Sequence, residues 1–297
     1  MERFRALMLV AFFDLVQAAI GKEGSDKPGR GEASEGPTLM EVGRRDVRDF
    51  GAKCDGETDD AEAIRKAIMG SPEGGGEVVF PSGDCLISPI RIRGKRALRL
   101  RGAGRFASNI VLRSPGTAMT FSESPWLTIT EMSFSVLGKP QSVVGSYGVE
   151  VDSGSGNGHI DAVSFIGFSG GGLRLIGSER KPLSGFNVNN CYFLGNGGDQ
   201  FFSERSNDFY YGNNQFGSLE GVRHATSGAH LVKSSAGTYS LNRFEMSDYQ
   251  NVYLAKGVQI IFTSNKIHTG SLSGEGEFDN VYLGGTSEAV FADNLIF

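Results

Sequence analysis

Four segments decide the fold when laid over one another: NVNNCYFL (187–194), YYGNNQFG (210–217), TYSLNRFE (238–245) and IFTSNKIH (261–268). Anchored on their seventh letter, they extend in both directions to the series Phe134, Phe165, Phe193, Phe216, Phe244, Ile267 and Ile296. Five positions before each anchor stand Ile129, Ile160, Val188, Tyr211, Tyr239, Phe262 and Phe291, all apolar or aromatic. Two positions before, the series reads Met132, Val163, Cys191, Asn214, Asn242, Asn265 and Asn294. Side chains that recur in register every 23–31 residues are what a solenoid needs, because each coil buries its inward positions only against its neighbours. Four asparagines at one inward position predict an internal ladder of side-chain amides bonded between coils. Cys191 then reads as a core residue preceding the ladder.

A second strand per coil is expected at Gly148–Val151, Gly172–Leu175, Gln200–Ser203, His230–Lys233, Asn251–Leu254 and Asn280–Leu283, set off by bends such as Gly170–Gly172 and Gly195–Gly198. With the interior filled, function belongs on outward positions. Parallel strands lie about 4.8 Å apart and same-face neighbours along a strand about 6.6 Å apart. His159, Asp161, Asn187, Asn189 and Tyr210 should therefore form one polar patch, continued by Tyr192, Gln215, Arg243 and Lys266. On the second strand the outward row reads Glu150, Arg174, Phe202, Val232, Tyr253 and Tyr282. An ion pair between adjacent coils, Glu150 with Arg174, gives way there to an aromatic row suited to sugar rings or to another subunit, and a subunit is the preferred expectation.

Composition bounds these readings. Glycine supplies 43 of 297 residues without a Gly-X-Y period, and 39% of the chain is hydrophobic, which excludes collagen and wholesale disorder. The net charge of -5 leaves no overall basic field for nucleic acid. Cys54, Cys85 and Cys191 read as small core residues with no zinc spacing; a Cys54–Cys85 disulfide is open in an oxidising compartment. Residues 1–21 form a signal-like or amphipathic leader whose apolar run is too short to span a bilayer, and residues 22–46 a flexible Gly/Ser/Glu/Lys/Pro linker.

Order is expected from Val47 in VRDFGAKCDGETDDAEAIRKAI (47–68), with a short strand, Thr58 as helix N-cap and Asp59 and Asp60 in the first helical turn. Together with GGGEVVFPSGDCLIS (74–88) and LRLRGAGR (98–105), this run resembles the N-terminal signature of the pectate-lyase-like, single-stranded right-handed β-helix superfamily. That superfamily holds polygalacturonases, alginate epimerases, polysaccharide lyases and phage tailspike depolymerases. The resemblance covers Val47 to about Ile110 and implies an all-β, right-handed parallel β-helix with an N-terminal capping helix over residues 47–297. It assigns Asp59 and Asp60 to the helix start rather than to catalysis. No family catalytic residue carries over: the nearest fragments to polygalacturonase motifs are Gly158-His159-Ile160 and Arg91-Ile92-Arg93, and neither is complete.

The resemblance and the polar patch imply a secreted or virion-associated protein acting on an acidic or bacterial surface polysaccharide as lyase or hydrolase. The alternative is a non-catalytic carbohydrate-binding or structural β-helix. In the lyase case Arg243, Lys266 and the asparagines neutralise a uronate carboxyl group, and His159 or Tyr210 is the base. In the hydrolase case Asp161 works with Glu131, one coil earlier. The bland reading is a hydrogen-bonded surface pair of His159 and Asp161. Neither a cofactor nor a metal is expected. The inward pattern runs to Phe297 in mid-coil, so a homotrimer or other partner covering an uncapped last coil, or a truncated chain, is expected there.

Overall fold

The computed structural model describes residues 43–297 apart from residue 275; the expected leader and all but the last residues of the linker lie outside them. The sheet starts slightly earlier than expected, since Arg44–Asp46 is a strand paired in parallel with Glu77–Val79. Val47–Phe50 is a short 3-10 turn rather than a strand, closed by Gly51 at φ 98°. Asp55–Asp59 is the strand that follows, and the helix covers Ala61–Met69 with Asp60 at its N-cap. Thr58 is therefore not the cap; its hydroxyl donates to Asp55. Asp59 accepts from the backbone N–H groups of Ala61 and Ser88, while the buried Asp60 carboxylate accepts from those of Lys53 and Cys54. Both acids hold the cap together. Ile64, Ala67 and Ile68 bury the helix against the first coils.

Every strand pairing is parallel, in three sheets. One coil shows the plan: Thr128–Thr130 belongs to the first sheet, Ser133–Val136 to the second and Ser146–Asp152 to the third. The expected single strand from six positions before the anchor up to the anchor is in fact two strands meeting at a corner. The cause is the residue three before the anchor. Glu131, Ala162, Asn190, Asn213, Leu241 and Ser264 all stand there with φ between 53° and 59°, a left-handed conformation that turns the chain from the first sheet into the second.

The expected register holds in the first and second sheets. Phe134, Phe165, Phe193, Phe216, Phe244, Ile267 and Ile296 are successive partners in the second sheet. Their rings stack: from Phe165 to Phe244 the centroids lie 5.0, 4.7 and 4.5 Å apart. Ile129 through Phe291 form the matching inward column of the first sheet.

The corner explains the asparagines. Where the chain turns, the N–H two before the anchor and the carbonyl five before it need partners that no strand supplies. Each asparagine supplies both. The backbone N–H groups of Cys191, Asn214, Asn242 and Asn265 each donate to the side-chain oxygen of the next asparagine at 2.9 Å. The side-chain N–H groups of Asn214, Asn242, Asn265 and Asn294 donate back to the carbonyls of Val188, Tyr211, Tyr239 and Phe262 at 2.8–3.1 Å. In the early coils Met132, Val163 and Cys191 fill the same column. Burial pushes the Cys191 thiol up to about 12, so it stays protonated and inert at neutral pH.

Cys54 and Cys85 are joined in a disulfide, so they are more than the small core residues the sequence suggested. Neighbouring strands Asp55–Asp59 and Gly83–Ile87 bring the two sulfurs together at the first complete coil. The carboxylate of Asp60 lies within 4.8 Å of both sulfurs. It is occupied by two backbone N–H groups and the sulfurs by each other, so this trio does not offer a metal the thiolates it would need.

Two outcomes test this account. Asn242→Ala should lower the free energy of unfolding by about 2–5 kcal/mol in denaturant titrations, because it orphans the Asn214 N–H groups inside the coil; a loss within about 0.5 kcal/mol, the size of an ordinary surface change, would remove the ladder as a stabilising element. Native protein should show no reactive thiol, and unfolded protein only the one of Cys191 unless reductant is added. Three thiols in unfolded, unreduced protein would contradict the disulfide.

Candidate functional site

Outward positions of three sheets give three surfaces, and the candidate residues divide between them. His159, Asn187 and Tyr210 are successive partners along the first sheet, as are Asp161, Asn189 and Gly212. The expected polar patch is thus assembled. Its internal bonds are not those of a base with its acid, nor of the bland pair: Asp161 accepts from Asn190 at 2.6 Å, and among the described residues no hydrogen bond reaches the His159 ring. Asn189 accepts from the backbone N–H of Gly212, over which the Tyr210 ring is folded. Glu131, the expected second carboxylate, sits at the left-handed corner and leaves the first-sheet face.

Tyr192, Gln215, Arg243 and Lys266 face outward round that corner, on the second sheet, in register with one another. Arg243 gives Nε and one terminal nitrogen to Glu245, at 3.0 and 2.7 Å. Lys266 lies over the Phe297 ring.

The third sheet holds what the sequence reading missed. Its outward row is Glu150, Arg174, Phe202, His230, Tyr253 and Tyr282, with His230 where Val232 was expected. The strand is Ala229–Val232 rather than His230–Lys233, and its register with Phe201–Glu204 puts His230 beside Phe202. His230 is therefore an outward strand residue. Its Nδ1 is 2.9 Å from Asp199 Oδ2, and both side chains are about one quarter exposed. An ionised carboxylate only accepts, so Nδ1 carries the hydrogen, and in the neutral ring Nε2 keeps its lone pair. The other Asp199 oxygen is sealed from solvent and has no partner among the described residues. Such an orphan costs about 1–3 kcal/mol.

Asp199 lines a groove of about 310 Å³ with Tyr147, Arg174, Phe202, Thr226 and the glycines 170, 171 and 198. The glycines make the groove: a Cβ at Gly170 would collide with the Tyr147 ring and one at Gly171 with the Asp199 carbonyl. Arg174 donates to Glu150 at 2.7 Å, as expected, and its guanidinium lies 5.1 Å from the centre of the Tyr147 ring. The loops walling this side are tied together. The Gln141 amide donates to the carbonyls of Gly195 and Arg223, and Arg223 donates to that of Gly197.

The aromatic row beyond the groove differs from a sugar-stacking platform. Tyr253 and Tyr282 stack on each other at 4.8 Å with planes 19° apart, and His230 meets Tyr253 at 4.5 Å. Rings stacked along the helix axis present edges outward, whereas a sugar stacks on an open face.

The model of the family described as rhamnogalacturonase A/epimerase, pectate lyase-like, matches residues 44–131. Mannuronan C5-epimerase AlgE3 of Azotobacter vinelandii is 38% identical over 72 residues, which are 24% of this chain and 4% of that protein. The chain thus spans a small fraction of that relative's length. Full-length tailspike protein 2 of an Escherichia coli O157:H7 bacteriophage superposes with a TM-score of 0.67 at 13% identity, covering 85% of this chain and 38% of that one. PfbA, a surface adhesin of Streptococcus pneumoniae, gives 0.65 at 15% identity over 85% of this chain and 72% of that one. No helix among the described residues is long and apolar enough to cross a membrane. A continuous three-sheet parallel coil with a capping helix at its start, shared with these solved structures, makes the chain a right-handed parallel β-helix, and its first coils, residues 44–131, are similar to the pectate lyase-like family.

Proposed function

We propose that the chain binds an acidic polysaccharide outside the cell or on a virion and acts on it by proton abstraction in the third-sheet groove. The observation that carries this reading is Asp199 lining a groove with Arg174 and Tyr147 while bonded to His230 of the next coil. A uronate residue needs its carboxylate neutralised, and Arg174 is the cation at hand. The oriented dyad of Asp199 and His230 takes the proton next to that carboxylate. In a lyase the electron pair left behind becomes a C=C bond, the glycosidic C–O bond breaks, and the Tyr147 hydroxyl protonates the leaving oxygen. In an epimerase no C–O bond breaks: the abstracted proton stays on the dyad, and the Tyr147 hydroxyl delivers another to the same carbon from the opposite face. Hydrolysis would need two free carboxylates; here Glu150 is engaged by Arg174, leaving Asp199 alone. The epimerase relative and the family description favour uronate chemistry, and the tailspike and adhesin likenesses favour a protein displayed on a surface.

A second reading keeps the chemistry on the first sheet, with His159 or Tyr210 as base, Asp161 beside them and Asn187, Asn189, Tyr192, Arg243 and Lys266 as substrate contacts. The His159–Asn187–Tyr210 register favours it, because three polar side chains follow one another along the direction a bound polymer would take. Assembly as a homotrimer belongs to both readings, and light scattering on the purified chain reads it directly.

One experiment separates the readings from each other and from a binding-only protein. Wild type and variants are incubated with uronate and neutral polysaccharides, following unsaturated products by ultraviolet absorbance, reducing ends chemically and inverted uronates by NMR. Asp199→Asn and His230→Ala should each lower turnover of a uronate polymer about 10²-fold or more, with Asp161→Asn and His159→Ala near wild type. The reverse pattern would move the chemistry to the first sheet. No change in any polymer by folded wild-type protein would leave the carbohydrate-binding alternative.

A further inference from the structure

A second hollow, of about 440 Å³, lies at the corner between the first and second sheets, away from the third-sheet groove. Asn190 and Asn213 occupy the left-handed corner position in adjacent coils, at φ 55° and 53°. Asparagine is the residue type best suited to that conformation after glycine. Their amides form a chain that begins at Asp161. Asn190 donates to the Asp161 carboxylate at 2.6 Å, and Asn213 donates to the Asn190 side-chain oxygen at 2.7 Å. Because a carboxylate only accepts, it fixes the direction of both amides. Asn213 is thereby left presenting its oxygen, and each amide keeps one N–H to give.

Arg105 reaches this corner from the loop before Ser108–Leu112, three coils toward the N-terminus. Its guanidinium lies 4.1 Å over the Tyr192 ring and donates to the backbone carbonyl of Asn190. Both contacts are with neutral groups, and no carboxylate pairs with Arg105 among the described residues. A guanidinium held flat on an aromatic face is positioned and only partly desolvated, with its remaining N–H groups available. On the far side Gln215 and Arg243 continue the second-sheet row from Tyr192. Tyr192 to Arg243 spans two strand spacings, about 9.6 Å. Glu245 takes Nε and one terminal nitrogen of Arg243, and the other terminal nitrogen has no partner among the described residues.

The hollow therefore combines two guanidinium groups with a floor of oriented amides in a shallow, polar, open shape. Its volume falls in the range of small-ligand sites, about 300–1,000 Å³. Two arginines call for an anionic group, and amides that both donate and accept match hydroxyl groups. We propose that this corner hollow is an accessory binding site for one carboxylated sugar residue of a glycan, with Arg105 and Arg243 on the carboxylate and Asn190, Asn213 and Gln215 on the hydroxyls. It shares with the proposed function the ligand class and nothing of the chemistry. A long polymer would be gripped here while it is turned over on another face, which raises its effective concentration there.

Titration of the full chain with a galacturonate tetramer, with cellotetraose as the neutral control, tests the site by calorimetry and by protein NMR. To keep the third-sheet groove from contributing, the titrations use an Arg174→Ala background. In it the acidic tetramer should bind, the neutral one far more weakly, and adding Arg105→Ala should weaken the acidic tetramer about tenfold or more. Arg105→Lys should recover part of that loss, since it restores the charge without the planar stack. Asn213→Asp, which adds an anion at the hollow and leaves Arg105 intact, should weaken binding as well. In the chain with Arg174 intact, Arg105→Ala should leave turnover of short substrates near wild type and raise the KM for long polymer. Equal tetramer affinity with and without Arg105 would overturn the proposal while leaving the third-sheet assignment standing; loss of turnover in Asp199→Asn bears on that assignment alone.

Discussion

The constraint on which the rest depends is the left-handed corner between the first and second sheets. From Cys191 onward it takes an N–H and a carbonyl of each coil out of the strand ladders, and a buried coil cannot leave them unpaired. In the later coils the asparagine column pairs both and hands the problem on to the next coil in the same form. Since one amide serves two coils, a slip of one residue in any coil would break bonds in two. The stacked phenylalanines reinforce the same register through ring contacts of 4.5–5.6 Å. Register fixed on the inside fixes the columns on the outside.

Function follows from those columns. Each outward side chain sits one strand spacing from its neighbours in adjacent coils, so residues 24–31 apart in sequence become pairs: Glu150 with Arg174, Asp199 with His230, Asp161 with Asn190. The corner between the first and second sheets is tight and nearly constant in length. The connections from the second sheet to the third vary; they carry the glycines that line the groove, and Gln141 and Arg223, which tie those loops to one another. The same β-helix thus presents a rigid amide-lined corner on one side and a loop-built groove on another.

Much of the fold was legible in the sequence because inward positions obey a strict rule. Phe134 through Ile296 and Ile129 through Phe291 had to be apolar and in phase, and the asparagine column announced the ladder before any geometry. What lay beyond the rule was harder. The corner was invisible because Glu131, Ala162, Asn190, Asn213 and Leu241 share a backbone conformation and no side-chain chemistry. Alternation alone puts Val232 where the structure has His230, because the loop before that strand changes length from coil to coil and a shift of two residues preserves the in-and-out pattern. Asp199 stands between a glycine run and a strand, and only the third-sheet register sets it against His230. The one signal available was the cluster of glycines from 170 to 172 and 195 to 198, which marked where side chains had to give way to a groove.

The central claim is that a uronate polymer is acted upon along the third sheet, and a crystal structure of the Asp199→Asn variant with a bound oligouronate tests it most directly. The account predicts a sugar carboxylate within hydrogen-bond distance of Arg174 and the adjoining ring carbon facing residue 199 and His230. An oligouronate lying instead only along His159, Asn187 and Tyr210, with the third-sheet groove free of sugar, would contradict it.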